Sequence, residues 1–533
     1  MVTWKVAVVS LCGVGFLKEL HFLGMFRDSY LTSATFNLTQ DQLEFEAYPV
    51  YAYSFPCVLV LVLLITDLVF YKPTISLGIL ALIAYTALLT WGRSLLVIQL
   101  SIFTAAFSST TDIAYFGYAF AVAEPEKFHK VAGFSRIALL LGRLLAYAIG
   151  QVLVQVFYTE YFMLNSLTLG FMCSAFVFSV LLPSASLSTF QQVIERELQS
   201  PSHGMFQTQN LAPGGSHGNC SIQNGHLQGE TTHAKRAGNS APKTYDLPGS
   251  SLDSSGLPCT AGPTFYDIDT SSLGFSYSDM MSECSDMSSL DRTRIEESQQ
   301  LEEKENLKEK FMLSVNSFRE TYTDVSVILW SVFWILATIV DFQVGASVHL
   351  LAEEHQVRNS TDATVESVYL LIAILFVLLT SFLTVNWSNF ETFFLGGTSL
   401  VQSLLLVLMA VLDNIWMRHS LYIACRVLYQ MTITIAMYRV ASFVTGKRFA
   451  FVFGINMMVS GVVILIFTCA AAINRDTTFS ALSQFAIYSG VIGFFGLGMI
   501  CRSIYGVILH RRCGSSNQTR DDLDTLVTDR PLP

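Results

Sequence analysis

The sequence predicts an all-α membrane protein, with about twelve transmembrane helices in two six-helix bundles. Three observations lead there. Apolar stretches such as Val325–Leu351, Val365–Val385 and Phe449–Ile473 reach the roughly 20 residues a helix needs to cross a hydrocarbon core about 30 Å thick. They are too long and too continuously apolar for the alternating strands of a barrel, and only helices or closed barrels satisfy every backbone polar group within lipid. One polar tract, Pro183–Phe318, divides the stretches six and six. Composition agrees: 52% hydrophobic residues and a mean hydropathy of +0.48 over 533 residues belong to the membrane class.

The first six expected spans are 6–26, 48–70, 74–92, 95–123, 131–157 and 161–182. The second six are 325–351, 365–385, 390–412, 416–443, 449–473 and 482–508. This gives an N-terminal bundle (1–182), a central loop (183–318), a C-terminal bundle (319–510) and a tail (511–533). The first span lacks a small-residue cleavage site, so it reads as an anchor and not as a cleaved signal peptide.

Orientation follows from basic residues near span ends. Lys72, Lys127, Lys130, Lys447, Arg448, Arg511 and Arg512 fall on the side of the central loop and both termini, which places that side in the cytosol. The glycosylation sequons at Asn37 and Asn359 then fall in extracellular loops. Multi-pass insertion, with the plasma membrane as the expected destination, follows.

The 10 cysteines lie in spans or cytosolic segments, with no spacing that suggests a metal or another cofactor. The net charge of -10 resides largely in soluble segments, and nothing resembles a nucleic-acid surface. Ser200–Ser288 is rich in Ser, Gly, Asn and Thr and has too little to bury to offset its ordering entropy. Asp291–Phe318, rich in Glu and Lys with apolar residues at helical intervals, reads as a helix on the cytosolic face.

An ionisable side chain within a span needs a partner or a water-filled cavity. In span 4, Asp112 lies among Thr110, Thr111, Tyr115 and Tyr118, and spacings of three put Asp112, Tyr115 and Tyr118 on one broad helix face. A carboxylate beside electron-rich rings suits an organic cation, which gains a salt bridge and cation–π contact. The competing reading is a carboxylate capped by threonine hydroxyls or held in a structural pair. Arg143 in span 5 and Arg426 in span 10 are its candidate partners. Arg426, with Tyr429 three residues on, either neutralises Asp112 between cycles, binds an anion, or forms a structural ion pair. Asp341 has Gln343 and His349 nearby, while the adjacent Lys18 and Glu19 point to different faces and suggest a vestibule or packing role.

Asp67 and Lys72, between spans 2 and 3, resemble the acidic-plus-basic loop of the major facilitator superfamily, where such charges latch helices in the outward-facing state. Longer segments are similar to the reduced folate carrier and thiamine transporter family (solute carrier family 19). They are Asn37 to Ser54, Thr66-Asp67 with Tyr71-Lys72-Pro73, Asp112 to Tyr115, and Lys130 to Arg136. In the second half they are Trp330-Ser331 with Trp334, Val385-Asn386-Trp387, Thr434-Ile435-Ala436 and Phe451 to Asn456.

The resemblance implies a major facilitator fold with a water-soluble vitamin bound between the bundles. Asp112 sits where thiamine transporters carry an acidic residue and the folate carrier a basic one. Tyr51, Tyr115 and Tyr118 match family aromatics, Arg426 matches a basic residue, and Thr434-Ile435-Ala436 reads as the thiamine branch. There are departures. The family's Arg-Pro-Ser-Glu-Pro-Phe signature falls on His21 to Phe26, losing its arginine and glutamate. The span-4 glutamate falls on Ile102, the folate carrier's span-11 lysine on Ile464, and a span-7 asparagine of thiamine transporters near Phe342.

The expected function is vitamin transport by alternating access, thiamine before folate, with Asp112, Tyr51, Tyr115, Tyr118, Arg426 and Tyr429 at the site. A proton or organic anion is the candidate coupling ion. A non-transporting receptor on a transporter body is the rival reading; no paired aspartates, metal motif or nucleophile elbow suggests an enzyme.

Overall fold

The computed structural model describes residues 4–183 and 312–528, apart from 34–35, 37, 70, 313–314, 317, 353–357, 384–386, 445–447 and 474–480. Every regular element among them is helical. Eleven helical segments are long and apolar enough to span a membrane, and the 15-residue α1 (Trp4–Lys18) precedes them. Span 2 is α2 (Pro49–Val69), span 3 is α3 (Tyr71–Trp91), and span 4 is split into α4 (Leu95–Thr110) and α5 (Asp112–Ala121). α6 (Phe128–Gln155) and α7 (Tyr161–Val180) complete the first half. The second half comprises α8 (Val325–Ala352), α9 (Arg358–Phe382), α10 (Trp387–Val411), α11 (Ile415–Phe443), α12 (Phe449–Ile473) and α13 (Ala481–Thr528).

Three boundaries differ from expectation for physical reasons. The first helix stops at Lys18, eight residues short of the expected end at 26, because two adjacent charges seek different partners there. The irregular backbone after it is buried in protein and satisfied by it: the Phe22 amide donates to Thr168 Oγ1 at 3.1 Å, the condition under which non-helical chain is tolerated at membrane depth. α9 begins at Arg358, so Asn359 lies in its first turn and not in a loop. α13 continues through the expected tail to Thr528. The helix expected over Asp291–Phe318 lies largely outside the described residues, as do Asn37 and the side chains of Asp67, His349 and Asn359.

Within the first half, α1 and the chain that follows it lie against α6 at two glycines. A Cβ on Gly142 would collide with the Phe16 carbonyl oxygen, and one on Gly150 would come within 2.6 Å of the Phe22 carbonyl oxygen. Gly142→Ala is therefore expected to destabilise the protein by about 1–3 kcal/mol, the usual cost of overpacking. Gly13→Ala, with nothing within 4 Å of its new methyl, should be neutral or stabilising through helix propensity. Thermal unfolding of the detergent-solubilised chain distinguishes the two.

The halves meet along α2 with α12, α6 with α9 and α11, and α5 with α12. At the face where the chain leaves at Pro183 and returns near Phe318 (the loop face), the meeting is aromatic. Phe120 lies 5.7 Å from Phe449 and 5.6 Å from Phe453, and Phe128 is 5.7 Å from Phe449, while Trp334 backs Phe453 from within the second half at 5.3 Å. Gly117 admits Tyr71 and the Ala450 amide, and Gly454 admits Leu63. The loop face is thus closed by apolar packing. Just before α8, Tyr322 hydrogen-bonds Asn456 at 2.7 Å and Ser331 at 2.9 Å, and Phe318 packs on Tyr322 and Phe451.

Candidate functional site

The ionised groups in the first half form a chain. Asp112 opens α5, immediately after the break at Thr111, whose hydroxyl bonds back to the Ser108 carbonyl at 2.6 Å. Its carboxylate accepts from the Lys18 ammonium. The same ammonium lies 4.0 Å from Glu19 Oε1 and 5.4 Å above the centroid of the Tyr115 ring. Glu19 Oε2 in turn accepts from Arg143 at 2.8 and 3.2 Å. Lys18 is 9% exposed at its side chain and Asp112 38%. The carboxylate therefore faces open space while its partner is sealed in. Ile75, Gly78, Ile79, Ser108, Thr111 and Tyr115 complete a small cavity around the pair.

This arrangement corrects the expected pairing. Asp112 is partnered by Lys18, and neither Arg143 nor Arg426 is its ion-pair partner. Lys18 and Glu19 do diverge, but each terminates on a charge. Arg426 belongs to a separate group in the second half: it pairs with Asp341 at 2.6 Å and lies 5.1 Å from the Tyr369 ring and 5.9 Å from that of Tyr422. The Tyr422 hydroxyl donates to Glu366 at 2.5 Å. Between the groups, Arg136 stacks on Phe116 at 4.8 Å and interacts with Asp112 and Tyr429, and its Nε has no hydrogen-bond partner. No salt bridge among the described residues includes Arg136.

The tyrosines separate. Tyr115 is buried beside the Lys18–Asp112 pair, its hydroxyl against Gly15 and 3.4 Å from the Ser135 carbonyl. Tyr118 is not on that wall: it is fully buried near the loop face, donating to the Pro183 carbonyl at 2.6 Å. Tyr429 is half-buried on α11. Tyr51 lines a second cavity of about 100 Å³ between α2, α8 and α12, with Phe55, Thr338, Phe342, Ser460 and Ile464 among its walls. Its ring lies nearly parallel to that of Phe342, 16° off, with centroids 6.3 Å apart. Two departures noted in the sequence, Phe342 and Ile464, therefore line one cavity. Lys72 is half-buried in the first turn of α3.

The vestibule or packing role expected of Lys18 and Glu19 leaves out their ion pairs, for which charges inside an apolar run are the signal. Arg136 was noted only as part of a motif. Phe342 carried no chemical signal by itself, since an aromatic in a span is ordinary.

Comparison with known proteins joins this geometry to a lineage. The fold is similar to the solved human organic anion transporter MFSD10 (TETRAN), with a TM-score of 0.52 at 10% identity, covering 94% of this chain and 100% of that one. It is a major facilitator-type architecture. Thiamine transporter 1 of Mus musculus is 27% identical over 508 residues, 95% of this chain and 91% of its own length. Folate transporter 1 of Caenorhabditis elegans is 22% identical over 491 residues, 92% of this chain and 89% of its own. The mouse reduced folate transporter is 24% identical over 534 residues, 98% of this chain and 88% of its own. The family model described as reduced folate carrier matches residues 2–246 and 252–487, so this multi-pass chain, with its paired charges, belongs to the reduced folate carrier family of membrane transporters.

Proposed function

We propose that the protein carries thiamine across the membrane by alternating access, its thiazolium cation pairing with Asp112. One observation carries the choice of a cation: the Asp112 carboxylate, within a membrane-spanning segment, is partly open to a small cavity, beside an aromatic ring that already holds an ammonium. The thiamine transporters among its relatives support the substrate. The vitamin's planar rings suit the Tyr51–Phe342 pair, one ring from each half. A flat ring between them needs the planes about 7 Å apart, twice a carbon–carbon contact of ~3.5 Å, so the gap, at most their 6.3 Å centroid separation, has to widen. The closed loop face makes the described state outward-facing or occluded, with the loop side in the cytosol, the plasma membrane as the site of action, and Lys72 with Asp67 as the latch.

Lys18, Glu19, Asp112 and Arg143 sum to zero formal charge, so the loaded carrier moves one positive charge and the empty one none. An interior potential of −100 mV adds about 2.3 kcal/mol per charge, roughly a 50-fold accumulation at equilibrium. Uptake of radiolabelled thiamine by vesicles bearing the full chain, at imposed potassium diffusion potentials, tests this. Voltage-independent accumulation would sink the cation assignment.

A second reading, an anionic folate, is favoured by Arg136, which forms no salt bridge among the described residues and whose Nε has no hydrogen-bond partner. Radiolabelled folate in the same vesicles, with the potential reversed, separates the two.

A further inference from the structure

The site proposed for the substrate's cation already contains one. Lys18 Nζ bonds the Asp112 carboxylate and lies over the Tyr115 ring, 5.4 Å from its centroid. A carboxylate and an aromatic face are the two contacts an organic cation would use. The lysine also has a second place to go. Glu19 Oε1 is 4.0 Å from Nζ, and the Arg143 guanidinium holds the other oxygen, Oε2, at 2.8 and 3.2 Å. An ammonium leaving Asp112 thus has a carboxylate oxygen facing it, and needs only rotations of its own side chain.

We propose that Lys18 is a tethered stand-in for the substrate cation: it neutralises Asp112 in the empty carrier, moves to Glu19 when substrate arrives, and returns when substrate leaves. The inference rests on the reading that the substrate cation pairs with Asp112. Alternating access requires the empty carrier to reverse through an occluded state. An ionised carboxylate without a partner inside a span is strongly disfavoured. Carriers can meet this with a co-transported cation or a proton; here the cation is covalently attached. The surrounding charges stay in place: Arg136 and Arg143 on α6, and Asp112 on α5, with His21, Tyr51 of α2 and Tyr115 of α5 also close to the pair. Net import then needs no coupling ion at this site, and Lys18 acts on the return step and not on the loaded one.

The test uses the purified full chain in liposomes with clamped potential and radiolabelled thiamine. Net uptake into empty vesicles is compared with exchange into vesicles preloaded with unlabelled thiamine, in which the carrier never returns empty. In Lys18→Met the ratio of exchange to net uptake is expected to rise about tenfold or more, and Lys18→Arg restores the wild-type ratio. Lys18→Gln, which keeps a donor to Asp112 without the charge, gives the same rise if the methionine variant does not fold. Net uptake and exchange falling together in the uncharged variants, while Asp112→Asn abolishes uptake, overturns the inference and leaves the Asp112 reading standing. Uptake indifferent to Asp112→Asn overturns both.

Discussion

Asp112→Asn is expected to reduce thiamine uptake by about 100-fold at matched surface delivery. Truncating one member of a desolvated charge pair costs 2–5 kcal/mol, and about 3 kcal/mol corresponds to roughly 100-fold in affinity. Two effects add. The substrate loses its carboxylate, and Lys18, deprived of Asp112 but only 4.0 Å from Glu19 Oε1, remains charged beside the empty place and repels an incoming cation. Asp112→Glu, which keeps the charge on a longer stem, should retain measurable uptake. Concentration dependence of initial rates is the measurement, and an unchanged KM in the asparagine variant would remove Asp112 from the site.

The second large effect is expected at Arg426. Arg426→Ala should lower stability by about 3–5 kcal/mol, because removing one partner of a buried pair leaves the other charge uncompensated. That partner is Asp341, 2.6 Å away and 15% exposed at its side chain. A protein stabilised by about 5–15 kcal/mol would lose much of its folded yield. The double variant Asp341→Asn, Arg426→Gln removes both charges and should recover most of the thermal stability. If Arg426 only holds α8 to α11, the double variant also transports; if it binds an anion in the cycle, the protein is stable and inactive. Thermal unfolding and uptake, measured together, distinguish a strut from a ligand.

Eleven of the twelve expected spans and most helix ends are legible in the sequence, because desolvating backbone in lipid forces long apolar helices and permits few exceptions. The break after Lys18, like that at Thr111, is an exception, and it coincides with a place where an expected span carries opposite charges side by side. Candidate charges were legible, but their pairing was not. Lys18 and Asp112 are 94 positions apart, and which of several cations reaches a carboxylate depends on helix packing that span periodicity does not encode. The misplacement of Tyr118 has a simpler cause. Each step of three residues lags a full helical turn by about 60°, so a residue six positions along faces about 120° away. Tyr115 stays beside Asp112, and Tyr118 turns into the core.

Tyr322 has a mechanical consequence. Its hydroxyl ties the residues just before α8 to Asn456 of α12, and α12 also carries Phe449 and Phe453 of the aromatic closure. The covalent lead-in to the second half is thereby fastened to the helix that carries one side of the aromatic closure. Tension or added bulk near Phe318 would be felt first at that closure, before it reaches the bundle's interior.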